Sequence, residues 1–283
     1  MTTSPPGRPG ARTPARKRFG QHFLEPAWVV KVVRAIAPAP DDVFFEIGPG
    51  HGALTRELTA RAGSVTAFEI DRDLADELRE SAPANLEVIA GDFLTSQWIL
   101  EHRPGHPVRV AGNLPYNVAS PILFKLVELF GAGIQLTDAT VMLQREVADR
   151  LVAGPGSKEY GVLSVLIQLS ADVDRLLSLP AGAFRPVPKV QSALVRLRFR
   201  ERRPEPRNAE LLTQLVQAIF TRRRKTLDNA LMAFRTWDRT AISEVLRRAA
   251  IDGRRRPETL DVSELVRLAD AVDPLPGPPG AML

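Results

Sequence analysis

The chain has 283 residues, of which 44% are hydrophobic and 25% charged, with a net charge of +5 and no cysteine. That length and apolar content favour two domains, and the missing cysteine excludes disulfide staples and thiolate metal sites. The four histidines, at 22, 51, 102 and 106, show no ligand spacing, and no apolar run approaches the roughly eighteen residues a membrane helix needs, so a soluble, cytoplasmic protein without metal is expected.

Charge placement says more than net charge. Residues 1–20 carry five positive and no negative charges, residues 21–195 carry 15 and 21, and residues 196–256 carry 17 and 7. A basic excess confined to the ends of the chain is the pattern of a protein that grips a polyanion beside a less basic catalytic domain.

In chain order, residues 1–16 are Pro, Gly, Thr and Arg with little that is apolar, so a disordered basic arm is expected. Four prolines in that stretch argue against the amphipathic helix of a transit peptide. Lys17 to Leu24 places two aromatics and two hydrogen-bonding side chains around a glycine, a plausible cover for a ligand pocket, and Pro26 to Ile36 reads as a helix with one apolar face. From Val43 the pattern becomes regular. Strands are predicted over Val43–Ile47, Val65–Phe68, Leu86–Ile89 and Val108–Gly112, with helices over Ala53–Ala62 and Leu74–Glu80, and a further helix near Ile122 capped by Ser120-Pro121.

The polar residues that end these strands are Gly48, Glu69, Asp92 and Asn113, spaced by 21, 23 and 21 residues. That spacing is one strand-helix unit, so each falls at the carboxyl end of a successive parallel strand, where open α/β sheets bind ligands. The glycines let backbone approach a ligand, Glu69 can take both hydroxyls of a ribose, and Asp92 can accept from an adenine amine. These features describe a pocket for an adenosine-containing cofactor. Gly48-x-Gly50-x-x-Ala53 alone suits a nicotinamide dinucleotide as well as S-adenosylmethionine.

Asn113-Leu114-Pro115-Tyr116 separates the two. The lone pair of a base amine is delocalised into the ring and is a poor nucleophile; an Asn oxygen and a backbone carbonyl aimed at the two amine hydrogens favour a pyramidal nitrogen able to attack. Tyr116 would stack on the base. Hydride transfer has no use for such a cradle, whereas methyl transfer to a base amine does.

Beyond it, a fifth strand is expected over Ala139–Leu143, a helix over Glu146–Val152, and a strand over Val190–Phe199. Phe184, between prolines, reads as an exposed ring that could sandwich a flipped adenine against Tyr116. Pro204 to Pro206 ends the first domain. Ala209–Phe220, Lys225–Phe234 and Ala241–Ile251 then form a small helical domain, with Arg222, Arg223, Arg224 and Lys225 between its first two helices and Arg254, Arg255 and Arg256 after the third. Such clusters fit phosphate contacts to folded RNA.

Gly20-Gln21-His22-Phe23-Leu24, Glu46-Ile47-Gly48-Pro49-Gly50, Glu69-Ile70-Asp71, Gly91-Asp92 and Asn113-Leu114-Pro115-Tyr116-Asn117 together resemble the rRNA adenine dimethyltransferases. Gln144 to Ala148, Lys158 to Gly161, Phe184-x-Pro186-x-Pro188-Lys189-Val190 and Arg223-Arg224-Lys225-Thr226-Leu227 are similar to the branch that acts on the small ribosomal subunit. The resemblance runs from about Lys17 to Leu260. It implies a Rossmann-like class I methyltransferase domain, doubly wound with a mostly parallel sheet, over 17–203, a helical RNA-binding domain over 204–272 and a disordered tail over 273–283.

The resemblance further implies a monomer that uses S-adenosylmethionine to dimethylate two adjacent adenines in a hairpin near the 3′ end of small-subunit rRNA. Gln21, His22, Leu24, Glu46, Gly48, Gly50, Glu69, Ile70, Asp92, Phe93 and Asn113 would line the cofactor site. Asn113 and the Leu114 carbonyl, with Pro115, would position the amine, and Tyr116 and Phe184 would stack on the base. Four positions depart from the family pattern: His51 stands for an apolar residue, Val162 and Asp228 for Arg, and Gln191 for Asp. The first should not disturb cofactor binding; the other three should weaken or redirect RNA contacts. The alternatives are a large-subunit methyltransferase of the macrolide-resistance type, a non-catalytic RNA-binding assembly or transcription factor on the same fold, and a nicotinamide-dependent enzyme.

Overall fold

The alternation of short apolar strands with amphipathic helices builds one central sheet. The computed structural model describes residues 21–234 and 237–273; the arm over 1–16, the Lys17–Gly20 part of the first motif and the tail beyond Asp273 lie outside them. The strands are β1 (Phe23–Leu24), β2 (Val43–Ile47), β3 (Ser64–Glu69), β4 (Leu86–Ala90), β5 (Val108–Asn113), β6 (Leu136–Gln144), β7 (Ala171–Leu179), β8 (Phe184–Arg185) and β9 (Ser192–Phe199). Seven of them form a sheet in the order β4-β3-β2-β5-β6-β9-β7, and β4, β3, β2, β5 and β6 pair in parallel. β1 and β8 form a separate antiparallel pair.

This is the doubly wound α/β class expected. The strand order reverses direction between β2 and β5, a switch point at which the carboxyl ends of strands open a crevice. Gly112 permits the close approach of those two strands: a Cβ there would lie 2.5 Å from the Ile47 carbonyl oxygen.

The helices are α1 (Pro26–Ile36), α2 (Ala53–Thr59), α3 (Arg72–Glu80), α4 (Trp98–His102), α5 (Ala119–Gly131), α6 (Arg145–Val152), α7 (Val162–Gln168), α8 (Ala209–Phe220), α9 (Leu227–Leu231), α10 (Arg239–Ala249) and α11 (Val262–Val272). α1 shows why the elements form where they do. Pro26 needs no hydrogen bond in the first turn, Val29, Val32, Val33 and Ile36 turn one apolar face inward, and Ala37 closes the helix in the left-handed conformation with its N–H on the Val33 carbonyl. α5 begins at Ala119 after a Val118 cap, so Ser120 is not the cap expected. Pro121 fits inside the first turn, where its missing N–H would have no intrahelical partner.

The described residues divide into two compact units, the first running up to Arg145 together with Arg175–Arg196, the second Glu146–Asp174 together with those from Leu197 onward. The first buries α1, the ends of β2 and β3, and Leu179, Phe184 and Leu194 in one core. The second buries Tyr160, Val165 and Leu169 with the apolar faces of α8, α10 and α11. Residues 146–174, placed before the 203/204 boundary by sequence, thus pack with the later helices. Tyr160 is fully buried and donates its hydroxyl to the Leu260 carbonyl at 3.0 Å, a contact across 100 residues that no local pattern encodes.

Candidate active site

Three of the four predicted strand tips, Gly48, Glu69 and Asn113, contribute to one crevice through their local backbone. After β2 the chain turns through Gly48, Pro49 and Gly50, and both glycines have positive φ. A Cβ on Gly50 would meet the Phe23 ring at 2.8 Å, so glycine here serves both the turn and the packing of Phe23 against it. The Gly50 N–H donates to Glu69 Oε2 at 2.9 Å, and the Asp71 N–H donates to Glu69 Oε1 at 2.9 Å. Two backbone donors therefore fix the buried carboxylate while each oxygen keeps a second lone pair for a ligand hydroxyl. Burial pushes the Glu69 carboxyl above its ordinary range, against the pull of those N–H donors.

Glu46 is the second buried acid. It is 1% exposed, lines the pocket, and its Oε2 has no hydrogen-bond partner among the described residues. Loss of hydration pushes its carboxyl up to about 8. An unpaired buried carboxyl oxygen in a pocket is costly unless a ligand donor meets it. The residues therefore fit a cofactor with an adenosine end and a cationic amino-acid end: glycine backbone and Glu69 for the ribose, Ile70 as an exposed apolar face for a flat ring, and Glu46 for an ammonium.

At the tip of β5, Asn113 Nδ2 donates to the His22 carbonyl at 2.5 Å. That bond orients the amide and leaves Oδ1 to accept. Leu114 N–H continues the ladder to the Met142 carbonyl at 3.2 Å. The Tyr116 ring stacks on His22 with centroids 5.3 Å apart and planes 27° apart, and its hydroxyl lies 2.7 Å from Ser192 Oγ. Burial raises the Tyr116 phenol above its ordinary range, so it is neutral at physiological pH.

Of the predicted residues, Gln21, His22, Leu24, Glu46, Gly48, Gly50, Glu69, Ile70 and Asn113 line this one pocket together with Leu114, Pro115 and Tyr116. Three do not. Asp92 turns its Oδ1 onto the Leu94 N–H at 2.9 Å, and Phe93 packs edge-on against Phe68 with centroids 5.4 Å apart; both follow β4, one strand beyond Glu69. Phe184 is 0% exposed. The ring expected at the surface is instead in the core, because β8 pairs Phe184 with Leu24 and turns it toward the α1 face.

Phe23, His51 and Met142 also line the pocket and were not among the residues assigned to it. Phe23 stands inside the aromatic stretch read as a pocket cover, and Met142 lies in β6 directly opposite Asn113. His51, expected to leave cofactor binding undisturbed, lies with its ring centroid 4.4 Å from that of Phe23 and its Nδ1 3.2 Å from Glu77 Oε1.

In the second unit, the two basic clusters are brought side by side: the Leu227 N–H donates to the Arg255 carbonyl at 2.7 Å and the Asp228 N–H to the Gly253 carbonyl at 3.1 Å. Four of the seven cations are already paired. Arg223 bonds Glu258 at 2.7 Å, Arg254 bonds Asp252 at 3.0 Å, Arg255 bonds Glu264 at 2.5 Å, and Arg256 approaches Glu258 at 4.0 Å. Among the described residues no ion pair involves Arg222, Arg224 or Lys225, all exposed. Among the described residues there is also no cluster of three or more potential metal ligands, and no helix is long and apolar enough to cross a membrane.

The family model for ribosomal RNA adenine dimethylases matches residues 12–268. Ribosomal RNA small subunit methyltransferase A of Acinetobacter baylyi is 42% identical over 264 residues, covering 92% of this chain and 93% of its own. The protein of the same name from Chromohalobacter salexigens is 44% identical over 266 residues, covering 91% of each. Among solved structures, a dimethyladenosine transferase from Plasmodium falciparum superposes with a TM-score of 0.74 at 25% identity, over 87% of this chain and 96% of that one. The 23S rRNA methyltransferase ErmE does so with a TM-score of 0.64 at 30% identity, over 89% and 99%. Agreement that spans nearly the whole chain in both sequence and backbone settles the lineage, and the chain belongs to the ribosomal RNA adenine dimethylase family.

Proposed function

We propose that this chain dimethylates the N6 amines of two adjacent adenines in a hairpin near the 3′ end of small-subunit rRNA, as a cytoplasmic monomer acting during subunit maturation. The observation that carries the reading is the Asn113 amide, held by the His22 carbonyl so that Oδ1 is left to accept beside the Tyr116 ring. S-adenosylmethionine, when bound, supplies a methyl group on an already activated sulfonium.

Gln21, His22, Leu24, Glu46, Gly48, Gly50, Glu69, Ile70 and Asn113 hold the cofactor, with Asp92 and Phe93 at the far end of its adenine. The Asn113 oxygen and the Leu114 carbonyl accept the two amine hydrogens, drawing the nitrogen toward a pyramidal form whose lone pair is available. Tyr116 fixes the plane of the base by stacking. Pro115, with no N–H of its own, keeps the turn rigid between them. Once one methyl is in place a single N–H remains, so one acceptor suffices to orient the amine for the second transfer. Alignment supplies most of the acceleration, and the released proton passes to solvent.

The test is transfer of labelled methyl to purified small and large ribosomal subunits that lack adenine dimethylation, with mapping of the modified bases. Label on two adjacent small-subunit adenines is expected; label confined to the large subunit would move the chain to the branch of ErmE. Asn113→Ala should lower turnover by about a hundredfold or more, the size of one lost transition-state hydrogen bond, while cofactor binding persists in part. Turnover retained by that variant would remove the assigned role.

A further inference from the structure

A base cannot be methylated at N6 while it is stacked between its neighbours; it has to be taken out of the strand and into the pocket. The gap it leaves is a cost that the protein can offset by filling it, and apolar side chains inserted between base steps are the usual filling. Beside the pocket mouth the chain carries a segment built for such a task.

Residues 186–191 join β8 to β9 without regular structure, yet they are held at several points. The Pro186 carbonyl oxygen lies 2.7 Å from His22 Nδ1, and His22 is the residue on which Tyr116 stacks. Pro188 is buried. Gln191 is fixed twice by Arg145, whose N–H donates to the Gln191 carbonyl at 2.9 Å and whose guanidinium donates to Gln191 Oε1 at 3.0 Å. Ser192, the next residue, meets the Tyr116 hydroxyl. The segment therefore starts on one pocket residue and ends on another, stiffened by two prolines between.

What this rigid segment shows to solvent is unusual. Val187 is 55% and Val190 43% exposed, two of the few large apolar side chains on the surface. Lys189 between them is exposed and makes no ion pair among the described residues, and Arg185 and Arg145 flank the segment, Arg185 facing Glu25 at 3.4 Å. Two aliphatic side chains on a stiff support, with cations around them, match a nucleic-acid strand better than a protein face: bases for the valines, phosphates for the lysine and arginines.

We propose that the 186–191 segment receives the RNA step flanking the target adenine, with Val187 and Val190 occupying the space the adenine vacates in its stack and Lys189 meeting the adjoining phosphate. The proposal rests on the reading that the adenine lodges between Asn113 and Tyr116. The valines act on the flipped state of the RNA. They are positioning residues for the base and touch no reacting atom.

The test uses the full chain carrying Val187→Ser with Val190→Ser, and a second chain carrying Val187→Ile with Val190→Ile, on small subunits lacking adenine dimethylation. The serine variant should keep the wild-type melting temperature and cofactor Kd, since both side chains are exposed, while kcat falls roughly tenfold, the order of one lost stacking contact. The isoleucine variant, which restores the apolar volume, should return kcat close to wild type. A serine variant with wild-type kcat overturns the proposal, as does an isoleucine variant as slow as the serine one or a matching loss of cofactor affinity. Wild-type protein that labels no small-subunit adenine overturns the underlying reading, and is seen before any variant is compared.

Discussion

Glu46 is a buried carboxyl with one oxygen unclaimed among the described residues, and its protonation should set the pH dependence of cofactor binding. Burial lifts it to about 8, so the folded chain holds a proton that the unfolded chain has released above the ordinary carboxylate range. Stability drawn from that protonated form is complete at low pH and declines as pH rises to about 8, because the native state then binds more protons than the unfolded state. Binding runs the opposite way. A cofactor ammonium placed on Oε2 requires the ionised carboxylate, so below about pH 8 the proton must leave on binding. Affinity should therefore weaken as pH falls, with a ceiling of about tenfold per pH unit for one linked proton. Calorimetric titration with S-adenosylmethionine from about pH 6.5 to 8.5 should show this slope, and Glu46→Gln should bind more weakly with the slope gone. A wild-type Kd that ignores pH across the range would mean that Glu46 is not the group facing the ammonium.

Among the elements, β1 and β8 have two residues each and exist only because they pair with one another, Phe23 with Arg185 and Leu24 with Phe184. Their joint burial makes Phe184 a core residue, and Phe184→Ala should cost about 3–5 kcal/mol in stability, as large aromatic truncations in cores do. Thermal melting of the cofactor-free chain would read that loss directly; an unchanged melting temperature would return the ring to a role in base stacking. The same pair shows where sequence reading stops. The tips Gly48, Glu69 and Asn113 were legible because each closes an apolar strand at a fixed repeat, a local pattern. The inward turn of Phe184 was not, since it depends on a partner strand about 160 residues away. β7 was equally hidden: Ala171, Val173, Leu177 and Leu179 alternate with polar residues, but Arg175 and Leu176 break the alternation at its centre. Asp92 fell at the right repeat length, and its Oδ1 accepts from the Leu94 N–H in its own turn, a local bond that spacing cannot reveal.

Over the whole molecule the charge pattern pointed to a basic, RNA-facing helical segment, and within the second unit the structure sorts its cations into two kinds. Arg223 and Arg255 are tied to Glu258 and Glu264, partners that lie 35 and nine residues away and could not be assigned by composition. Arg222, Arg224 and Lys225 have no such partner among the described residues and project from the turn between α8 and α9. Val162 and Asp228, two departures from the family pattern, are also accounted for locally: Val162 packs on the helical core, and the Asp228 N–H joins that turn to Gly253. Each phosphate neutralised by a cation contributes roughly 0.7–0.9 to the slope of log affinity against log salt. Replacing Arg222, Arg224 and Lys225 together by alanine should then weaken binding to small subunits and flatten that slope by roughly two, with the melting temperature held. Arg223→Ala should do the reverse. It removes a partly exposed pair worth about 1 kcal/mol, lowering the melting temperature slightly while the slope stays close to wild type. Equal slopes for the triple variant and the wild type would take this turn out of the RNA interface. A slope changed as much by Arg223→Ala alone would mean that Glu258 yields its arginine to the phosphate when RNA arrives.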